Sequence, residues 1–437
     1  MPNDELSLKK IFIFWAPLAG TWLMMATEGP FLAAVIARMP SPKYNLAAYG
    51  VAFAIAVFME APIIMIMSAS TALVKNRFTF LKLRRFTYTL NSIITFLMLI
   101  LLIPPVFHFV ATGLIGLKAD VANLTYKTCL VLLPWPAAIG YRRFYQGVLI
   151  RSNLTRRVAY GTVVRLTSMS LTALFCYWVL EIPGAVVGGL SLSMGVIGEA
   201  IASRIMAHHS VKFLMTVESD DSEKTTLTYK NITHFYYPLA LTSILGLAVQ
   251  PLVTFFVGNS RMAIESLAVL PVINSFVFIF RSVGMSFQEV GIALLGTGNR
   301  RYQQIRRFAI LLGLCMAGIF LVVVFTKLSF IWFRDVSGLS MDLTEFSILP
   351  TRILTFIPAM VVLVSLQRAV LVNSRRTKPI TIATAIEVTT VIILLIISIQ
   401  FLGMIGAVAA AISLVVGRFL AVSYLFIPYF KVLKKSA

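Results

Sequence analysis

Glu60 stands near the centre of an apolar run, Leu46–Val74, that reads LAAYGVAFAIAVFMEAPIIMIMSASTALV. The run exceeds the roughly 20 apolar residues needed to cross a bilayer core of about 30 Å. A carboxylate at that depth is costly and by default marks a pathway or a binding site. Other ionisable residues are placed in the same way. Arg281 and Arg418 lie near mid-depth in later runs, Arg142 and Arg143 in the inner half of another, and Glu28 slightly outside the midpoint of the first. Arg368, Glu387, Glu199 and Glu289 stand towards the basic ends of their runs.

These residue types allow two kinds of chemistry. Glu60, Glu28 and Glu387 are candidates for ion coupling, by carrying a proton or by holding Na⁺ together with backbone carbonyls freed near Pro30 or Pro62. Arg281, Arg142, Arg143 and Arg368, with Gln250 at the position that repeats Glu28, are candidates for substrate binding. Their guanidinium groups stay charged, and the planar fork suits a carboxylate or a phosphate. The competing reading is structural: Arg368 tied to Glu387, Arg418 to an acidic neighbour, and each carboxylate to an arginine on the next helix. Arg352 would snorkel or pair with Glu345.

The elements that position these groups are helices in lipid. The chain has 437 residues, of which 59% are hydrophobic and only 13% charged. With a mean hydropathy of +0.89, that composition belongs to an integral membrane protein and not to a soluble domain. The net charge of +21 lies between apolar runs, as in cytoplasmic loops, so no nucleic-acid partner is expected. Twelve apolar segments can be counted: 11–38, 46–74, 87–110, 127–148, 159–180, 183–206, 235–257, 264–295, 308–330, 347–372, 380–402 and 404–430. The first is too long for a cleaved signal peptide and is expected to remain as a helix. Alternate loops carry Lys75/Arg77/Lys82/Arg84/Arg85, Arg151/Arg156/Arg157, Lys212/Lys224/Lys230, Arg300/Arg301/Arg306/Arg307, Arg375/Arg376/Lys378 and a basic tail. The positive-inside rule then puts both termini in the cytoplasm.

An internal repeat divides the chain. Pro17, Leu18, Ala19, Thr21 and Pro30 recur at identical spacing as Pro238, Leu239, Ala240, Thr242 and Pro251. Gly184-Ala185-Val186 and Gly195 recur, shifted by one further position, as Gly406-Ala407-Val408 and Gly417. The expected organisation is a six-helix half at 1–206, a polar cytoplasmic linker at 207–233 that includes ESDDSEK, and a second half at 234–437. Six segments per half is an even number, so the halves enter the membrane in parallel and alternate access by rocking. In this register Glu60 answers to Arg281, and the two are expected to meet across a central cleft.

Several functions are excluded at this level. The chain has no G-x-x-x-x-G-K-[ST] loop, no G-x-S-x-G elbow and no H-E-x-x-H pattern, so no ATP hydrolysis, enzyme chemistry or metal is expected. Its three cysteines imply no disulfide framework.

The paired halves, each opening with a P-L-x-x-T segment, resemble the multidrug/oligosaccharidyl-lipid/polysaccharide (MOP) exporter superfamily. Leu46-Ala47-Ala48-Tyr49-Gly50 with Pro62, Tyr236-Tyr237-Pro238-Leu239-Ala240-Leu241, and Arg352-Ile353-Leu354-Thr355-Phe356-Ile357-Pro358 are most similar to the progressive ankylosis family. The resemblance implies an all-α fold like that of the multidrug and toxic compound extrusion (MATE) transporters, with twelve transmembrane helices in two parallel six-helix bundles. It implies export of a small polyanion such as citrate, a nucleotide or a pyrophosphate-like species. A multidrug–cation antiporter and a flippase of a lipid-linked sugar are the alternatives. The expected setting is the inner membrane of a bacterium, with a monomeric protein whose partners are lipid and an anionic small molecule, and with no cofactor beyond coupling H⁺ or Na⁺.

Overall fold

The computed structural model describes residues 6–152, 154–217, 228–374, 376 and 378–436. Lys224, the rest of ESDDSEK and Arg375 lie outside the described residues. All named elements are helical. All twelve apolar segments of the sequence are helical, but not all are continuous. Among the described residues, nine helical stretches are long and apolar enough to cross a membrane, or ten if a pair bent by 77° is counted as one.

Prolines explain the interruptions. The second segment is two helices, Pro42–Glu60 and Ile66–Leu73, separated by turns that begin just before Pro62. The bent pair, Arg77–Leu101 and Pro104–Leu114, turns at Pro104-Pro105. The fourth segment parts into Ala119–Leu132 and Trp135–Arg151 around Pro134. Proline lacks the N–H that closes a helical turn, and its ring clashes with the preceding carbonyl. Elsewhere Pro17, Pro238 and Pro271 sit inside unbroken helices. Part of the expected linker is also helical, as His208–Thr216.

The helices gather into two compact units whose limits differ from the sequence halves 1–206 and 234–437. The first unit is 39–255, and the second is 1–38 with 256–437. Each repeat therefore places its opening segment in the unit built from the other repeat. Ile11 and Trp15 belong to the core of the second unit, beside Phe287, Val290 and Phe308. Their equivalents in the repeat register, Ile232 and Tyr236, belong to the core of the first, beside Phe80, Phe144 and Tyr145.

Hydrogen bonds follow the same reciprocity. In the second unit the Trp15 indole donates to Ser286 Oγ at 2.9 Å, and Trp22 donates to Glu289. In the first unit the equivalent residues are Tyr236 and Ser243. Tyr236 donates to the Pro62 carbonyl at 2.6 Å, and Ser243 to the Ala61 carbonyl at 2.6 Å, with the Ala240 carbonyl at 2.9 Å as its alternative. Arg38 ends the first segment by donating to the carbonyls of Asp335 and Val336 in the second unit.

Equivalent contacts recur in both units. Asn45 Oδ1 accepts from the Ala185 amide at 2.9 Å, and Ser266 Oγ accepts from the Ala407 amide at 3.1 Å, each capping the first turn of a helix. Gly195 lies where a Cβ would meet Met169 and Arg165, and Gly417 where one would meet Val391 and Glu387. A third crossing exchanges the small residue between partners. A Cβ on Gly147 would come within 2.5 Å of Ser70 Cβ, whereas at the equivalent crossing a Cβ on Gly291 would come within 2.7 Å of Ala369 Cβ. Small residues let helix backbones approach closely in lipid, where packing and not hydrophobicity drives association.

That exchange sets up a test of packing. Gly291→Ala should destabilise the folded protein by about 1–3 kcal/mol through overpacking. Adding Ala369→Gly should recover most of the loss, as read from thermal unfolding in detergent.

Candidate functional site

The charged candidates fall into two clusters, one within each unit. In the first unit Glu60 is the last residue of the helix Pro42–Glu60, and it is buried at 7% exposure. A carboxylate at a helix C-terminus meets the negative end of the backbone dipole. The compensating charges are Arg142, Arg143 and Arg165, which act on it electrostatically. Arg142 is itself committed: its Nη1 donates to Glu199 Oε2 in a buried ion pair. Gln146, one turn along the same helix, donates to the other Glu199 oxygen at 2.8 Å. Arg143 points Nη1 at Met67 Sδ, 3.6 Å away, and its Nε has no hydrogen-bond partner among the described residues. Glu60 Oε2 also lacks one.

In the second unit the cluster is Arg281, Arg368, Arg418 and Glu387. Arg418 Nη2 lies 2.8 Å from Glu387 Oε1. This replaces the tie between Arg368 and Glu387 considered from sequence. Arg281 and Arg368 both feel the charges of Arg418 and Glu387. Among the described residues the Nε atoms of Arg281, Arg368 and Arg418 have no hydrogen-bond partner. Three arginines here surround one carboxylate, against three arginines and two carboxylates in the first unit.

The repeat register relates the two clusters with their signs reversed. Glu60 corresponds to Arg281, and Arg165, in the later part of the register, corresponds to Glu387. The amide of Gln146 corresponds to the guanidinium of Arg368. Arg165 is not singled out by its own segment, and only this register marks it. Glu60 and Arg281 each have charged neighbours within their own unit.

The remaining candidates stand on other helices. Glu28 is buried in the first turn of the helix Glu28–Ala37, where the helix dipole suits a carboxylate. Gln250 lies in the helix Val249–Gly258, and its carbonyl accepts from Thr254 Oγ1. Arg352 lies over the Phe325 ring at 5.4 Å, and no ion pair to Glu345 is found among the described residues. Two grooves, of about 490 Å³ at Lys230, Thr233, His234, Tyr237 and Pro238 and about 400 Å³ at Phe356, Met360, Val415, Val416 and Phe419, are lined by neither cluster. Among the described residues no group of three or more His, Cys, Asp or Glu side chains is arranged to hold a metal ion.

No protein-family model matches the sequence. No curated protein sequence matches it either. Solved structures do. An inward-facing multidrug resistance MATE family transporter of the MOP superfamily superposes with a TM-score of 0.70 at 13% identity, over 95% of this chain and 96% of that one. The lipid II flippase MurJ, in an inward closed conformation, gives 0.69 at 15% identity, over 97% and 90%. A MOP superfamily transporter from Pyrococcus furiosus, described as having a binding pocket of reverse polarity, gives 0.62 at 13% identity, over 98% and 97%. These are transporters and a flippase, not enzymes. At such identities the likeness is one of architecture, and on it the chain is an all-α integral membrane protein with the MATE-like fold of MOP superfamily transporters.

Proposed function

We propose that this chain is a secondary active transporter that exports a small organic or phosphate-containing anion, such as citrate, a nucleotide or a pyrophosphate-like species. It would act by alternating access between its two six-helix halves, as twelve spans in a bacterial inner membrane with both termini cytoplasmic. The observation that carries the substrate class is the cluster of Arg281, Arg368 and Arg418 around the single carboxylate of Glu387. Excess guanidinium charge in a low-dielectric bundle is costly, and unpartnered N–H donors add to that cost. A bound anion supplies both the missing charge and the missing acceptors. Arg281 and Arg368 are its principal ligands, while Arg418 exchanges between Glu387 and substrate. In the first unit Arg143 is the freer guanidinium, because Arg142 serves Glu199.

The coupling ion in this reading is a proton carried by Glu60. Glu60 is buried and its Oε2 has no hydrogen-bond partner among the described residues, a setting in which a proton neutralises the carboxylate in place. A second reading, a flippase for a lipid-linked sugar, draws on the likeness to MurJ over 97% of the chain. Its pyrophosphate headgroup would engage the same arginines. A multidrug–cation antiporter fits the fold equally well but meets the wrong sign of charge in both clusters.

Arg281→Ala and Arg368→Ala should each lower uptake of labelled citrate or nucleotide into proteoliposomes by about 10- to 100-fold. That factor follows from losing one charged hydrogen-bonding partner worth about 1.5–3 kcal/mol. Size-exclusion profiles should be unchanged, and uptake equal to that of the unmodified protein would end the assignment. Glu60→Gln should leave anion binding measurable by thermal shift but remove the response of uptake to an imposed proton gradient. Protection of cells against cationic dyes, lost on Glu60→Gln, would instead establish the multidrug reading. Translocation of a fluorescent lipid-linked pyrophosphate without uptake of soluble anions would establish the flippase.

A further inference from the structure

Pro62 breaks the second segment directly after Glu60. The position equivalent to Pro62 in the other repeat is Val283, and there the helix Ala263–Leu294 continues unbroken. The break leaves carbonyls that no helical N–H reaches. Some are recovered locally: the Glu60 carbonyl accepts from the Ile63 and Ile64 amides at 2.9 and 3.2 Å, and Ile63 accepts from Ile66 at 3.0 Å. The carbonyls of Ala61 and Pro62 are met instead by Ser243 and Tyr236, both on the helix Tyr229–Leu247 and seven residues apart. Seven residues is two helical turns, so both hydroxyls face the break. Tyr236 and Ser243 are buried, at 4% and 5% exposure. Tyr236 is further held by an edge-on contact with Phe86, with ring centroids 5.5 Å apart.

The equivalent donors in the other repeat make the comparison informative. Trp15 and Trp22 occupy the same two positions, yet they bond the side chains of Ser286 and Glu289 on an intact helix. Only in the first unit are the donors aimed at backbone. There they fix the two residues that follow Glu60, whose Oε2 has no hydrogen-bond partner among the described residues.

We propose that Tyr236 and Ser243 are positioning residues for Glu60. Their hydroxyls hold the second segment in its broken form and so set the direction in which the Glu60 carboxylate leaves the end of its helix. Without them the Ala61 and Pro62 carbonyls seek other donors, the turn 61–65 shifts, and the carboxylate moves relative to Arg142 and Arg143. This role rests on the coupling function assigned to Glu60 above.

The test compares Tyr236→Phe, Ser243→Ala and the double variant with Trp15→Phe, which removes the equivalent donor in the second unit. Hydrogen–deuterium exchange of peptides covering 58–67 should speed up about tenfold or more in the double variant and stay unchanged in Trp15→Phe. Ser243→Thr, which keeps the hydroxyl, should exchange like the unmodified protein. The response of uptake to a proton gradient should weaken in the double variant, in the same sense as in Glu60→Gln. Unchanged exchange over 58–67 would overturn the proposal, as would faster exchange with an unaltered gradient response when Glu60→Gln does alter it. If Glu60→Gln itself leaves the response intact, the coupling role fails, and the exchange measurement still decides whether the hydroxyls hold the break. Should the double variant not fold, Tyr236→Phe alone loses one hydroxyl at constant ring packing and gives the same reading.

Discussion

Pro62 removes a donor from a helix in a setting where lipid offers none, and much of the first unit follows from supplying the replacement. In a bilayer every backbone carbonyl must find its hydrogen within the protein. Here the hydrogens come from Tyr236 and Ser243, so the seventh segment is bound to the second by polar contacts as well as by the packing of Ile232 and Tyr236 into the core. In the second unit no such demand arises, because the helix Ala263–Leu294 is unbroken. Trp15 and Trp22 reach polar side chains of an unbroken helix, and Arg38 closes the far end on the carbonyls of Asp335 and Val336. Each opening segment is thus anchored along its length to the unit made mainly from the other repeat. Neither repeat completes a core from its own segments.

Charge obeys a related constraint. An ionised side chain inside a helix bundle persists only where opposite charge or hydrogen bonds answer it. In the first unit Glu199 takes both Arg142 and Gln146, and Glu60 stands against the remaining guanidinium charge. In the second unit one carboxylate, Glu387, is directly bonded to Arg418 and shared electrostatically with Arg281 and Arg368. The two units therefore differ in how fully their arginines are compensated, although their helices correspond. Uncompensated guanidinium groups are the part of such a site that has most to gain from a ligand.

Much of this architecture is legible in the sequence, because apolar length and repeat register are local or strictly periodic properties. The twelve apolar segments are all helical, and the repeat register leads to matched contacts such as Asn45 with Ala185 and Ser266 with Ala407. The breaks at Pro62 and Pro134 are visible only as prolines, since a kink that neighbours tolerate and a break that neighbours must repair look alike in one dimension. The exchange of opening segments is not legible at all. It depends on which side chains meet from distant parts of the chain, as Tyr236 and Pro62 do, and no periodicity carries that information. Partner choice among charges is legible only in part for the same reason: an acidic partner for Arg418 is expected, but not which one. Glu387 bonds Arg418 and not Arg368, and Arg142 is held by Glu199. Arg165, by contrast, is within reach: extending the register that pairs Glu60 with Arg281 pairs Arg165 with Glu387.

That last correspondence bears on how one fold serves ligands of different charge. Glu60 and Arg165 in one unit become Arg281 and Glu387 in the other, and the helix crossing beside the second pair is kept down to Gly195 and Gly417. Reversing the sign at two positions has left the close crossing in place, with Glu387 answered by Arg418 and Glu60 by Arg142, Arg143 and Arg165. The duplicated halves of this chain thus carry opposite charges at matching positions on the same helical scaffold. Resemblance of the helices to MATE transporters or to MurJ is a likeness of fold, and a fold by itself does not fix function.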